Sequence, residues 1–90
     1  MAHCPAEKLT DLEPVFELLR QWPGLKEKKT GTFYCKGKGF LHFHIKGEHR
    51  WADIRDGKDW GEPVDVPFNP DAKVQAEFLS EIERRYQRVC

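Results

Sequence analysis

The chain contains no apolar run approaching 18 residues, so nothing in it is long enough to cross a bilayer as a helix. Its first residues, Met1-Ala2-His3-Cys4-Pro5, lack the basic-then-apolar order of a secretory leader. Cysteine is sparse and odd in number: Cys4, Cys35 and Cys90 are too few and too scattered for a disulfide framework, and Cys90 reads as an incidental terminal thiol. The expectation is a reduced, cytoplasmic protein. No internal repeat, low-complexity tract or Ser/Gly-rich linker divides the 90 residues, so they read as one domain, 1–90, with 1–9 a mobile N-terminal segment. Also missing are a nucleophile elbow, an oxyanion-hole glycine motif and a phosphate-cradling loop. No reaction is named by motif.

Charge of one sign is missing only in the total. Fifteen Lys/Arg balance fifteen Asp/Glu, but residues 26–55 hold eight basic against three acidic side chains, and residues 56–83 hold eight acidic against two basic. A neutral total argues against a general nucleic-acid binder. Opposite-sign segments attract each other within one fold or across a dimer.

What is present reads as two helices around a set of strands. Leu12, Val15, Phe16, Leu19 and Trp22 recur at helical steps, with Thr10 and Glu13 at capping-box spacing and Pro14 tolerable in the first turn. Trp22-Pro23-Gly24 ends this helix, placed at about 11–21. A second helix, about 70–88, carries Val74, Phe78, Ile82, Tyr86 and Val89 on one stripe, with Asn69 as its cap and Pro70 in its first turn. Between them the period changes to two at Thr32–Lys36, Phe40–Lys46, His49–Arg55 and Pro63–Pro67, joined by short glycine-bearing turns. Lys26-Glu27-Lys28-Lys29 reads as a solvated loop. The fold class is therefore α+β: a four-stranded antiparallel β-meander with an N-terminal and a C-terminal helix packed on one face, in the order α-β-β-β-β-α.

Gly47-Glu48 suits a two-residue type II′ turn, which pairs Lys46 with His49, His44 with Trp51 and His42 with Asp53. Leu41, Phe43 and Ile45 then share a face with Ala52 and Ile54, apolar enough to lie beneath the helices. Extending the register through residues 36–39 sets Cys35 opposite Phe40 and Phe33 opposite His42. The face away from the helices then carries Phe33, Phe40, His42, His44, Trp51 and Asp53, with Cys35 and His49 beside them. Such a face, rich in rings and imidazoles, calls for a cover: a ligand, a partner, or Trp60 from the acidic loop.

That surface supports several chemistries. As a binding or interaction module it offers Phe33, Phe40, Trp51 and Trp60, with His42, His44 and Asp53, to a small anionic or aromatic ligand or to a protein partner. As a metal site, His42 and His44 point the same way and Asp53 or His49 supplies a third ligand to a divalent transition-metal ion, with Cys35 a fourth candidate. As an enzyme, His42 oriented by Asp53 has the logic of a general base, with Cys35 as nucleophile. The same face would also serve a homodimer. A hydrogen-bonded His–Asp pair on a half-buried face is the plain structural alternative.

Trp22-Pro23-Gly24-Leu25 after a helix, then Leu41-His42-Phe43-His44 and Ala52-Asp53-Ile54 across a turn, resemble a small domain often labelled luciferase-family or luciferase-domain protein. Its pattern runs from proline-glycine to a strand near H-x-H, a glycine turn, an A-D-[IL] strand, a tryptophan-containing strand and a helix closing near tyrosine, and Trp60 and Tyr86 fit those last parts. The likeness spans roughly residues 12–88, without the central insert of longer members. It implies a role for the histidine face and no particular reaction.

Overall fold

The computed structural model describes residues 2–90; Met1 lies outside the described residues. The elements are β1 (Ala2–His3), 3-10 turns at Ala6–Lys8 and Thr10–Leu12, α1 (Glu13–Leu19), β2 (Leu25–Lys29), β3 (Thr32–Cys35), β4 (Lys38–Lys46), β5 (His49–Asp56), β6 (Asp59–Trp60), β7 (Val64–Asp65) and α2 (Ala72–Val89). Antiparallel neighbours run β2-β3-β4-β5-β6, with β1 added to β4 and β7 to β5. The α+β class holds, but the sheet exceeds the expected four strands. β2 was hidden because only Leu25 of its five residues is buried, and a lysine-rich edge strand reads as a loop. β1 forms where a mobile segment was expected: β3 reaches only to Leu41 of β4, so the far half of β4 has room for Ala2 and His3.

The central hairpin has the expected register, His42↔Asp53, His44↔Trp51 and Lys46↔His49, around a turn whose Gly47 has φ 62°. The preceding hairpin differs. Lys36 and Gly37 both adopt positive φ and make a tight two-residue turn, pairing Cys35 with Lys38 and Tyr34 with Gly39. The register then shifts to Phe33↔Leu41, so Phe40 is the extra residue of a β-bulge. One residue of slip exchanges faces. Phe33 and Phe40 are thereby fully buried in the core, away from the histidine face, and Cys35 is 1% exposed.

Both helices cover one face of the sheet. The Phe43 ring packs 5.7 Å from Phe16 of α1 and 6.0 Å from Phe78 of α2, while Phe40 meets Tyr86 edge-on at 6.4 Å. α1 is shorter than the expected 11–21 because Thr10–Leu12 winds as a 3-10 turn, and no Thr10 capping bond forms. The Glu13 carboxylate instead pairs with Arg20, while Pro14 sits in the first turn as its chemistry requires. In α2 the cap is Asp71 rather than Asn69, its Oδ1 accepting from the Val74 amide at 2.9 Å. Asn69 turns with φ 51° and donates its amide to Asp11.

Cys35 and Cys90 are joined as a disulfide with Cα atoms 6.3 Å apart, tying the end of α2 to β3. This corrects the reading of Cys90 as incidental and removes Cys35 as a thiol nucleophile or metal ligand. It also removes the cysteine argument for a reducing compartment. Cys4 is the free thiol, and it is buried. No helix among the described residues is long and apolar enough to cross a membrane.

Candidate functional site

β4 and β5 supply the site from adjacent positions. His42 and His44 are two apart on one strand, so both imidazoles leave the same face, and Asp53 stands directly across from His42. Three atoms converge: His44 Nε2 lies 2.8 Å from Asp53 Oδ2, His42 Nε2 lies 3.2 Å from the same oxygen, and the two Nε2 atoms are 3.4 Å apart. Metal bonds of about 2.0–2.1 Å set ligand atoms roughly 3.3 Å apart at tetrahedral angles and roughly 2.9 Å apart at right angles. The triangle spans those separations. Protons are the other way to satisfy it, each Nε2–H donating to Oδ2.

Aromatic rings enclose the group. Trp60 lies flat on His42, with centroids 4.6 Å apart and planes 3° from parallel, and Arg55 stacks on the outer side of the site at 4.7 Å from the indole. The strand that carries Trp60 is held by pairing with Arg55, and Gly39 leaves room for the indole, because a Cβ there would stand 3.3 Å from it. Trp51 stacks on His44 at 5.5 Å. From the other side His3, paired with His44 in β1, stacks on that imidazole at 5.7 Å.

Burial pushes the His42 pKa below the ordinary histidine value, His44 adds to the shift, and the Asp53 carboxylate opposes it only in part. His42 is thus neutral near pH 7, the form in which imidazole ligates a metal. His44 is buried and its Nδ1 has no hydrogen-bond partner, so no outer acceptor fixes its tautomer.

Of the residues expected at the site, His42, His44, Asp53, Trp51 and Trp60 come together. Phe33 and Phe40 do not, for the bulge turns them inward. His49 also stands apart: it bonds Asp65 at 2.8 Å at the exposed end of the hairpin, with Trp51 tilted against it at 4.9 Å. Arg50, on the neighbouring position of β5, is buried; its guanidinium bonds Asp11 at 2.8 and 2.9 Å and the carbonyls of Lys8, Val66 and Pro67. Sequence reasoning set His3 aside, because residues 1–9 read as a mobile segment. The alternation Ala2-His3-Cys4 held the signal, since burial of Cys4 sends His3 to the opposite face.

Comparison with protein-family models, with curated proteins and with solved structures gives no match. The resemblance to luciferase-domain proteins rests on the short motifs alone.

Proposed function

We propose that this protein is a small binding module that takes one divalent transition-metal ion on His42, His44 and Asp53. The observation that carries the reading is the convergence of two imidazole nitrogens and one carboxylate oxygen within 3.4 Å of one another on the central hairpin. Two imidazoles favour zinc and its neighbours over calcium or magnesium, which prefer all-oxygen sites. A neutral His42 needs no proton removed before binding. A second reading, an anionic ligand held on the same face, is favoured by the Arg55 guanidinium stacked over the 42% exposed Trp60 indole.

Isothermal titration of chelator-stripped protein with Zn²⁺ tests the first reading. One ion per chain is expected, with affinity reduced by at least about tenfold in Asp53→Asn and in His42→Ala. Stoichiometric binding that persists unchanged in both variants, or no binding at all, would sink it. Native mass spectrometry of protein purified without chelator separates the second reading, which requires a retained organic mass displaced by Trp60→Ala.

A further inference from the structure

We infer that His3 is the fourth ligand of this metal centre, so that the ion closes β1 onto the sheet and the site is a four-ligand, binding-type centre; this rests on the metal-site reading above. The placement follows from the backbone. His3 is in register with His44, and the next residue, Cys4, is buried in the core and donates its amide to the Phe43 carbonyl at 3.2 Å. Strand alternation therefore sets the His3 imidazole on the face that carries His42 and His44.

The distances support a shared ion. The His3 centroid is 5.7 Å from that of His44 and 6.2 Å from that of His42. Two imidazoles on one tetrahedral ion stand roughly 5 Å apart by centroid. His3 is exposed and its ring nitrogens lie outside the 4.8 Å set formed by the other three, so rotation about its side-chain torsions is the movement that would bring a nitrogen to the ion.

The other sides of the centre are taken. Trp60 covers His42, and Trp51 flanks His44 from β5, opposite to β1. His49 is engaged by Asp65. The Cys4 thiol faces the core, 3.9 Å from the Lys8 carbonyl. Among the described residues, His3 is the nitrogen donor left beside the trio.

The consequence is chemical. Three protein ligands with a water in the fourth position make a catalytic zinc site, whereas four protein ligands make a closed one. With His3 in place the ion links the segment before α1 to the central hairpin and leaves no position for an activated water.

Titration with Co²⁺ tests this on the intact chain, comparing wild type, His3→Ala and His49→Ala. Expected for wild type and His49→Ala is the intense visible absorption of four-coordinate Co²⁺ with protein ligands. In His3→Ala a water takes the fourth position, so the spectrum should change shape and become pH-dependent as that water ionises, and the ion should bind at least about tenfold more weakly. Hydrogen exchange is the second readout: Zn²⁺ should slow exchange at residues 2–9 in wild type and leave it unchanged in His3→Ala. If wild type binds the ion and His3→Ala matches it in spectrum, affinity and exchange, the fourth-ligand assignment is overturned while the three-residue site stands. If wild type binds no ion, both fall. His3 is an exposed residue of a terminal strand, so its removal leaves the core untouched.

Discussion

At the residue scale, outside the His42, His44 and Asp53 group, Arg50 is tightly constrained. It is 2% exposed, stacks on Phe68 at 4.2 Å and meets Asp11 through two hydrogen bonds. Removing the partner of a buried charge costs about 3–5 kcal/mol, so Asp11→Ala should lower urea-unfolding stability by that order. A loss under about 1 kcal/mol would mean that the carbonyls alone satisfy Arg50. Burial pushes the Asp11 carboxyl up, but the Arg50 hydrogen bonds and charge and the Asn69 amide outweigh it and hold it below its ordinary value. A carboxyl depressed on folding stabilises above its unfolded pKa, about 3.9, and that contribution disappears as pH falls through the folded value. Stability measured from pH 5 downward should therefore drop more steeply in wild type than in Asp11→Ala. Gly61 is constrained differently: a Cβ there would stand 2.5 Å from Arg85 Nη1 and 3.0 Å from the Ile54 carbonyl oxygen. Arg85 Nη1 bonds the Ile54 and Glu62 carbonyls, so it has little freedom to retreat. Gly61→Ala should cost about 1–3 kcal/mol, read as a lower melting temperature.

At the element scale, α2 is held at both ends. Asp71 satisfies an orphan amide at its start, and Asp71→Ala should destabilise by about 1 kcal/mol. Its last turn is tied to β3 by the Cys35–Cys90 disulfide across 55 residues of sequence. The chain-entropy argument gives such a closure about 4 kcal/mol, and native-state effects commonly bring the measured figure to 2–4. Cys90→Ser should therefore lower the melting temperature by roughly 10–25 °C in a domain of this size. Thiol titration of unfolded, unreduced wild type should find one free thiol; three would refute the pairing. β6, with both residues exposed, and β2, an edge strand with only Leu25 buried, are held by little burial. They should exchange amide protons fastest among the strands.

At the scale of the whole molecule, the sheet separates two jobs. Its helix-covered face carries the aromatic core that joins α1, β4 and α2 through Phe16, Phe43 and Phe78. The opposite face bears the imidazoles and the two tryptophans that flank them. Binding to the native state alone adds about 2.7 kcal/mol at a hundred times Kd. Zn²⁺ at that excess should raise the melting temperature by roughly 10–20 °C, and a chelator should reverse the rise. No shift in wild type at saturating Zn²⁺ would argue against a site preformed in the folded chain.

Alternation and turn chemistry determined the central hairpin from sequence alone. Gly47-Glu48 specifies the turn, the apolar set Leu41, Phe43, Ile45, Ala52 and Ile54 specifies the face, and together they set His42 across from Asp53. The two helices were legible for the same reason, since their stripes are long enough to overrule local ambiguity. What lies beyond local patterning was decided by tertiary structure. The Phe40 bulge turned two rings into the core because burial of Phe33 and Phe40 against the helices outweighed an uninterrupted ladder. β1 and β2 exist because β4 and β3 offer them hydrogen-bonding edges, which no alternation within two or five residues announces. The disulfide needed α2 to return its end to β3, and His3 reaches the histidines only because its strand fills the edge that β3 leaves open. Contacts between residues 40 or more apart depend on how the elements close on one another, and that closure is where the spacing of a sequence stops carrying information.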